Sequence, residues 1–307
     1  MSAPATEKML AAVPGLGGLY ASALAKSARL MVRAPGRGPT TTPQVTYRVD
    51  GVRPDAEQLT AYQHLLGEPA SDVLPAGFVH VTGFGLAMAV MARDDFPLPL
   101  LGMVHVANSV RQREPVRIGD ELTVRAWAER LRAHRSGTQV DLVVEVTRSE
   151  DVDPAWSGRS TYLAKGQTLP GLALLETDSA TSSDPWPEGY GEPAVRWRLA
   201  RDTGRRYAQV SGDRNPIHLS ALTAKAFGFP RAIAHGMYTA ARALTAVDAA
   251  RVSPSEAFTW DVSFGKPVLL PSTVALSLRR EGGAMQYAGW NERSGKRHFH
   301  GAVAPLT

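Results

Sequence analysis

The chain repeats one order of segments twice, and this internal repeat constrains its fold more than any other feature. In the first half, residues 61–69 precede a run of apolar side chains with helical spacing over residues 78–92. In the second half, residues 207–218 precede a similar alanine-rich run over residues 233–247. The repeat predicts two units of the same design, each with one long central helix.

A short apolar turn follows each predicted helix and leads into segments that alternate between apolar and polar side chains. This period of two is typical of half-buried antiparallel strands. The turns are residues 114–122 and 266–274, and the predicted strands cover residues 122–128, 140–147 and 159–165, then 273–279, 285–291 and 298–303. The pattern of segments in each half therefore predicts an α+β unit in which the helix covers one face of the sheet.

A stretch rich in Gly, Pro and Ser separates the two halves at residues 166–192. Such composition is typical of an exposed linker. The predicted organisation is an N-terminal domain at residues 1–165, a linker at residues 166–192 and a C-terminal domain at residues 193–307.

The composition narrows the classes of function. The chain of 307 residues contains no cysteine, which excludes disulfides, thiolate nucleophiles and cysteine metal sites and favours a reducing compartment. The net charge of +5 fits either a solvated, arginine-rich surface or attraction to a polyanionic substrate, such as a coenzyme A ester or an acidic carrier protein. No zinc finger, aromatic RNA-binding motif or dense basic run indicates a nucleic-acid partner.

The segment at residues 9–25 is mildly apolar, but Pro14 and the turn Gly15-Leu16-Gly17-Gly18 interrupt it. It is too short and too broken for a membrane span or a secretory signal. We expect a packed N-terminal segment, and a cytoplasmic protein without a membrane partner.

Residues 207–218, Tyr-Ala-Gln-Val-Ser-Gly-Asp-Arg-Asn-Pro-Ile-His, place a carboxylate and an imidazole five residues apart. Asn215 and Pro216 lie between Asp213 and His218, so we expect a loop rather than a helix to place this pair. Asp and His held close together are a usual means of moving protons at neutral pH. Three alternatives stay open: Asp213 as a turn or capping residue, His218 as a hydrogen-bonded loop histidine, and Asn215 as a turn residue alone.

His235 and Gly236 follow at the predicted start of the second central helix. A backbone N–H in the first turn of a helix has no partner within the helix and lies at the positive end of its dipole. Because glycine has no side chain, a ligand oxygen can approach the Gly236 N–H closely. His235 fits a packed residue near the helix start better than a ligand contact, and Ser211 is either a turn residue or part of the site lining.

These motifs resemble the signature of the MaoC-like, R-specific enoyl-thioester hydratases of the hydratase-2 type. The segment from Tyr207 to His218 is similar to the family motif, Ala234-His235-Gly236-Met237 to the start of its central hot dog helix, and Phe264-x-Lys266-Pro267-Val268 to the turn that follows. The strict motif covers only the second half. The first half resembles the degenerate domain of double hot dog members, among them 3-hydroxyacyl-thioester dehydratases.

The resemblance implies a double hot dog, in which two antiparallel sheets each wrap around a central helix. It implies reversible addition of water to trans-2-enoyl thioesters of coenzyme A or acyl carrier protein, giving (R)-3-hydroxyacyl thioesters without a cofactor. Asp213 and His218 would then bind the water, Asn215 would fix the carboxylate or the water, and Gly236 would donate its N–H to the thioester oxygen. Ser211 and His235 would contact the substrate.

The first half departs from the motif. Gly67-Glu68-Pro69 takes the place of Gly212-Asp213, and neither His64 nor His80 supplies a histidine at the required spacing. The resemblance therefore implies one active site per chain, with the first half retained for packing and for housing the acyl chain. Met88, Met91 and Met103 fit core packing better than an acyl contact.

Several alternatives remain at this point. A hot dog thioesterase normally uses a carboxylate on or near the central helix, and residues 233–247 contain no Asp or Glu. A catalytically idle thioester-binding subunit would not need the full set of motif residues. His298 and His300 alternate on a predicted strand, but no third metal ligand accompanies them, so we predict no metal. The sequence leaves open the acyl chain length, the carrier, the direction of reaction, which of Asp213 and His218 is the base, and whether the chain is a monomeric double hot dog or a homodimer.

Overall fold

A computed structural model describes residues 3–4, 6–20, 39–172, 192–249 and 257–306. The described residues form an α+β structure, as the alternating and helical segments of the sequence predict. None of its helices is long and apolar enough to cross a membrane.

Among the described residues, the first half builds six strands, two longer helices and the short helical stretch at residues 16–20. The helix at Ala56–Leu66 is terminated by Gly67, which has a left-handed φ of 75° and donates its N–H to the carbonyl of Gln63. The elements are β1 (Glu7–Met9), β2 (Thr46–Val52), α1 (Ala56–Leu66), α2 (Ala76–Met91), β3 (Met103–Gln112), β4 (Leu122–His134), β5 (Gly137–Arg148) and β6 (Trp156–Lys165).

The second half repeats this order with a more elaborate region before its central helix. Two short helices follow the helix at Thr203–Ser211, and the second central helix begins at Gly236. The elements are β7 (Val195–Leu199), α3 (Thr203–Ser211), α4 (Pro216–Leu219), α5 (Ala221–Ala226), α6 (Gly236–Ala249), β8 (Phe258–Phe264), β9 (Ser272–Glu281), β10 (Ala284–Asn291) and β11 (Lys296–Pro305).

The eleven strands of the described residues all belong to one sheet, in the order β1-β2-β4-β5-β6-β3-β8-β11-β10-β9-β7. The order β2-β4-β5-β6-β3 of the first half is mirrored by β7-β9-β10-β11-β8 in the second, so the weak sequence repeat is a repeat of topology. The halves join where β3 pairs antiparallel with β8, from Ala107 opposite Ser263 to Gln112 opposite Phe258.

Helix α2 is the buried centre of the first half. Every residue in it except Thr82 is buried, which explains why it is apolar on all sides. Gly83 allows the helix to approach the sheet closely, because a side chain there would collide with Val144. In the second half, α6 buries one face that includes Met237, Tyr238 and Leu244.

The predicted strands are present, and most extend beyond the alternating segments that indicated them. The structure adds β1, β2, β3, β7 and β8, which the sequence pattern did not predict. Strand β6 ends at Lys165 and β7 begins at Val195, but residues 173–191 lie outside the described residues, so the linker at 166–192 and the domain bounds stay predictions.

Candidate active site

The segment that carries Asp213 leaves helix α3 at a glycine. Gly212 has a left-handed φ of 73°, and its N–H bonds the carbonyl of Ala208. The backbone turns sharply here because glycine adopts this conformation without steric cost. Ser211 supports the turn, since its Oγ accepts a hydrogen bond from the Asp213 N–H at 3.2 Å. The predicted role of Ser211 as a turn residue is thus present, and the residue also lines the cavity described below.

Asn215 and Pro216 start a one-turn helix rather than a loop. The Asn215 side chain accepts from the N–H of Ile217, and Pro216 takes the first helical position, where its missing N–H costs nothing. A loop places Asp213, as the sequence predicted, but His218 is carried by helix α4, so the same expectation was wrong for His218. Asn215 contacts the carboxylate through its backbone, because its N–H donates to Asp213 Oδ1 at 3.1 Å.

His218 is buried and its proton position is fixed by the backbone. Nδ1 lies 2.9 Å from the carbonyl oxygen of Ile233, and a carbonyl only accepts, so Nδ1 carries the hydrogen. The lone pair therefore remains on Nε2. Burial and, to a smaller extent, the neighbouring His235 lower the pKa of His218 to about 3, so the ring is neutral near pH 7.

His235 lies immediately before helix α6 and holds the Asp213 segment. Its Nε2 donates to the backbone carbonyl of Asp213 at 2.9 Å. The His235 ring stacks on His218 with centroids 3.6 Å apart and contacts Tyr207 at 4.9 Å. Burial also lowers the pKa of His235. These contacts match the structural role that the sequence favoured, and a substrate contact by His235 stays a prediction.

The two oxygens of Asp213 have different surroundings. Oδ1 accepts from the hydroxyl of Tyr20 at 2.6 Å and from the Asn215 N–H. Oδ2 lies 3.7 Å from His235 Nε2, too far for a hydrogen bond. Burial alone would raise the pKa of Asp213, but the two histidine rings, the Tyr20 hydrogen bond and the Asn215 N–H together hold that pKa below its usual value.

Gly236 is the first residue of helix α6, as the His235-Gly236 pair predicted, although the apolar run that indicated the helix begins three positions earlier, at Ile233. Ile233 instead pairs with Leu269 in an isolated bridge, and Ala234 bonds Val268, so this part of the chain is extended. Within the described part of the chain, the Gly236 N–H has no backbone acceptor. A side chain at this position would come within 3.0 Å of the Phe264 ring and would crowd the helix start, whereas glycine leaves it open.

A cavity of about 880 Å³ connects these residues, and both halves line it. Its walls include an apolar group from the first half, neutral polar groups and a set of cationic side chains. The apolar group is Val81, Phe84, Met88, Met91, Leu100 and Met103; the polar groups include His80, His105 and Tyr162; the cations are Lys165, Lys266, Lys296 and Arg297. Met88, Met91 and Met103 are buried as the sequence predicted, but they also face the cavity.

The equivalent region of the first half is closed. Tyr62 and Tyr207 precede Gly67 and Gly212 by the same five residues, so Glu68 occupies the place of Asp213. The hydroxyl of Tyr62 lies directly against Gly77, far inside the space that a side chain there would need. Glu68 accepts from Thr245 at 2.9 Å, and burial raises its pKa to about 7.

Asp213, His218 and His235 are also the one group of three potential metal ligands among the described residues, with ligand atoms within 4.8 Å of one another. The two imidazole planes are stacked, 25° from parallel. The nitrogen lone pairs of His218 and His235 lie in the planes of their rings. Because these planes are nearly parallel, the two lone pairs do not converge on one ion. Within the same described ranges, His298 and His300 gain no third ligand.

Comparison with known proteins places this geometry in a family. The profile of the MaoC like domain matches residues 190–297, which include the Asp213 segment and helix α6. The chain is 34% identical over 269 residues to 3-hydroxyacyl-thioester dehydratase X of Mycobacterium tuberculosis, covering 86% of this chain and 90% of that protein.

Solved structures agree. The crystal structure of HtdX from M. tuberculosis superposes with a TM-score of 0.72 at 32% identity, covering 85% of this chain and all of that one. A conserved M. tuberculosis protein with a double hotdog fold gives a TM-score of 0.53 at 13% identity over 83% of this chain and 93% of its own, which supports the fold alone. The chain has the double hot dog fold and belongs to the family of MaoC-like dehydratases.

Proposed function

We propose that this protein adds water to trans-2-enoyl thioesters to give (R)-3-hydroxyacyl thioesters, and catalyses the reverse dehydration. The observation that carries the proposal is the fixed state of the proton-transfer pair. His218 is neutral with its lone pair on Nε2, and Asp213 is ionised with Oδ2 outside hydrogen-bonding distance of its nearest donor. The name of the relative, a 3-hydroxyacyl-thioester dehydratase, supports the same reaction class.

In the hydration direction, Asp213 Oδ2 and His218 Nε2 hold one water molecule between them. His218 accepts a proton as the water oxygen attacks C3, and the imidazolium then returns one proton to C2, so the enzyme ends unchanged. Asp213 stabilises the transient imidazolium and orients the water. A group in this role contributes about 10²–10⁴ in rate.

Negative charge develops on the thioester oxygen during the attack, and the Gly236 N–H is the donor that meets it. This N–H lies at the positive end of the 14-residue helix α6 and has no backbone acceptor among the described residues. A donor of this kind contributes about 3–4 kcal/mol to the transition state.

The charge at the cavity fits a phosphate-bearing carrier. Four cationic side chains line the cavity. Lys165 is the last residue of strand β6 in the first half, and the second half contributes Lys266, Lys296 and Arg297. Coenzyme A and the phosphopantetheine arm of a carrier protein both present phosphate to such cations. The apolar first-half residues of the cavity then house the acyl chain, and residues 193–307 supply the proton-transfer groups.

The proposal is tested with purified protein and trans-2-enoyl-CoA substrates of increasing chain length. Loss of enoyl absorbance, with an R-configured product on chiral analysis, is the expected result. Asp213→Asn and His218→Gln should each reduce kcat by about 10²–10⁴. His64→Gln is the matched control, because His64 is exposed on α1 and does not line the cavity.

Release of free coenzyme A without hydration would instead identify a thioesterase. Turnover of no thioester across chain lengths and carriers would favour an idle binding subunit. Full activity in both Asp213→Asn and His218→Gln would contradict the assignment of the pair, even if hydration itself were observed.

A further inference from the structure

The N-terminal segment is built into the candidate active site. Strand β1 pairs parallel with β2, which anchors the start of the segment to the first-half sheet. Val13 and Pro14 then cover Gly85 of helix α2. The helical residues 16–20 continue toward the second half and end, within the described chain, at Tyr20 in the cavity wall.

Leu16 and Tyr20 both contact the turn that carries Asp213. Leu16 Cδ1 lies 3.0 Å from the position that a side chain on Gly212 would take. The Tyr20 hydroxyl donates to Asp213 Oδ1 at 2.6 Å, across 193 residues of sequence. This length is typical of a charge-assisted hydrogen bond between a hydroxyl and a carboxylate, which is roughly twice as strong as a neutral one.

The geometry around the carboxylate gives this bond a specific consequence. Oδ1 receives two donors, Tyr20 and the Asn215 N–H, whereas Oδ2 receives none among the described residues. Two donors on one oxygen fix the rotation of the carboxylate about its Cβ–Cγ bond. Oδ2 is therefore the oxygen left for the reacting water.

We propose that Tyr20 is a positioning residue for the hydration reaction, which holds Asp213 Oδ1 so that Oδ2 is presented to the water. This role rests on the proposed function. It makes the N-terminal segment a third contributor to the active site, beside the second-half motif and the first-half cavity wall.

The hydroxyl, and not only the ring, is what this role requires. Phenylalanine would fill the same half-buried space against Leu16 and the cavity, so packing alone does not call for a phenol. Burial and the adjacent Asp213 charge raise the pKa of Tyr20 far above its usual value, so the hydroxyl remains a donor at every working pH.

The other ionisable groups near Asp213 are uncharged near pH 7. Burial lowers the pKa of each neighbouring histidine and raises that of each neighbouring tyrosine. These groups are His80, His105, Tyr162, Tyr207, His218 and His235.

The test is Tyr20→Phe in the full-length protein, with enoyl-CoA hydration as the assay. Loss of the bond should lower kcat by about ten- to a hundredfold with KM changed less than about threefold. Because the bond stabilises ionised Asp213, its loss should also move the acid limb of kcat/KM upward by about one pH unit. A packing role would leave both the kcat and the pH profile unchanged, since phenylalanine preserves the ring.

Two comparisons make the result specific. Tyr47→Phe removes a buried hydroxyl that accepts from Arg93 and does not line the cavity, so it should leave kcat and the pH profile at wild-type values. In an Asp213→Asn background, Tyr20→Phe should cause little further loss, because Tyr20 acts through Asp213.

Each outcome decides a separate statement. An active wild type whose Tyr20→Phe variant keeps its kcat and acid limb would overturn the role of Tyr20 alone. Additive losses in the double variant would show that Tyr20 acts independently of Asp213 and would overturn it as well. A wild-type protein without hydration activity would overturn the proposed function, and this role with it.

Discussion

Gly204 offers a test of how closely His218 must be placed. This residue lies in α3, against the backbone of α4, and an added methyl group would point at the carbonyl oxygen of His218. That methyl would lie about 1 Å inside ordinary van der Waals contact, and the obstacle is backbone rather than a mobile side-chain end. Gly204→Ala must therefore push α4, and the His218 ring with it, away from α3.

The size of the effect follows from this displacement. A shift of about 1 Å in a catalytic group costs about 10²-fold in rate. Overpacking costs about 1–3 kcal/mol in stability, partly offset by the gain of about 1 kcal/mol when alanine replaces glycine in a helix. We expect kcat to fall about 10²-fold while the melting temperature drops by only a few degrees, about 2–4 °C per kcal/mol.

Enoyl-CoA hydration and thermal unfolding measure the two effects on the same preparation. Gly119→Ala is the matched control, because nothing lies within 4 Å of the added group there and the site is far from the motif in sequence. If Gly204→Ala kept its kcat within about twofold and melted higher, as helix propensity alone predicts, then α4 would not need its present distance from α3.

Three further predictions concern charge, stability and chain length. Because the pKa of His218 is lowered to about 3, its base form persists throughout the neutral range, so kcat/KM should stay flat down to about pH 5; an acid limb centred near the ordinary histidine value of about 6.5 would refute this. The pKa of Glu68 is raised from 4.5 in an unfolded chain to about 7, so its contribution to stability is present below pH 4.5 and is lost as the pH rises through 7. Glu68→Gln should therefore raise the free energy of unfolding by about 2–3 kcal/mol at pH 8 and little near pH 4 in denaturant titrations, whereas the exposed Glu114→Gln should show no such difference. Met88→Trp fills part of the cavity and should reduce kcat/KM for long-chain enoyl-CoA at least about tenfold relative to crotonyl-CoA; an unchanged ratio would place the acyl chain elsewhere.

The sequence predicts the fold where side-chain periodicity is strong and local. Helix α2 and the strands β4, β5 and β10 follow directly from their alternation or helical spacing. Strand β3 was not predicted, because several of its residues face the cavity or the seam and its exposure pattern alternates only from Asn108 onward. The His235-Gly236 pair predicted the start of α6, but the apolar run begins three residues early, because Ile233 is apolar in either a helix or a bridge and only its pairing with Leu269 decides between them.

The same distinction holds for the site. The motif residues of the site lie close together in the chain, so the sequence alone was enough to predict them. These residues are Asp213, Asn215, His218 and Gly236. Tyr20 was not found, because a contact across 193 residues leaves no local pattern in the sequence. The segment around it was predicted to pack, and Leu16, Leu19 and Tyr20 do pack against the core, but packing did not indicate a hydrogen bond to the carboxylate.

The pairing of β3 with β8 has a consequence for how the two halves can differ. In an assembly of two identical chains, one sequence must serve both positions, so any change in one unit is imposed on the other. Here the two halves belong to one covalent chain, so each can have its own sequence. The covalent connection also keeps them together at an effective concentration on the order of millimolar, whatever the protein concentration. One unit can therefore give up its histidine, place Tyr62 over its own helix start and line a cavity, while the other keeps the proton-transfer pair.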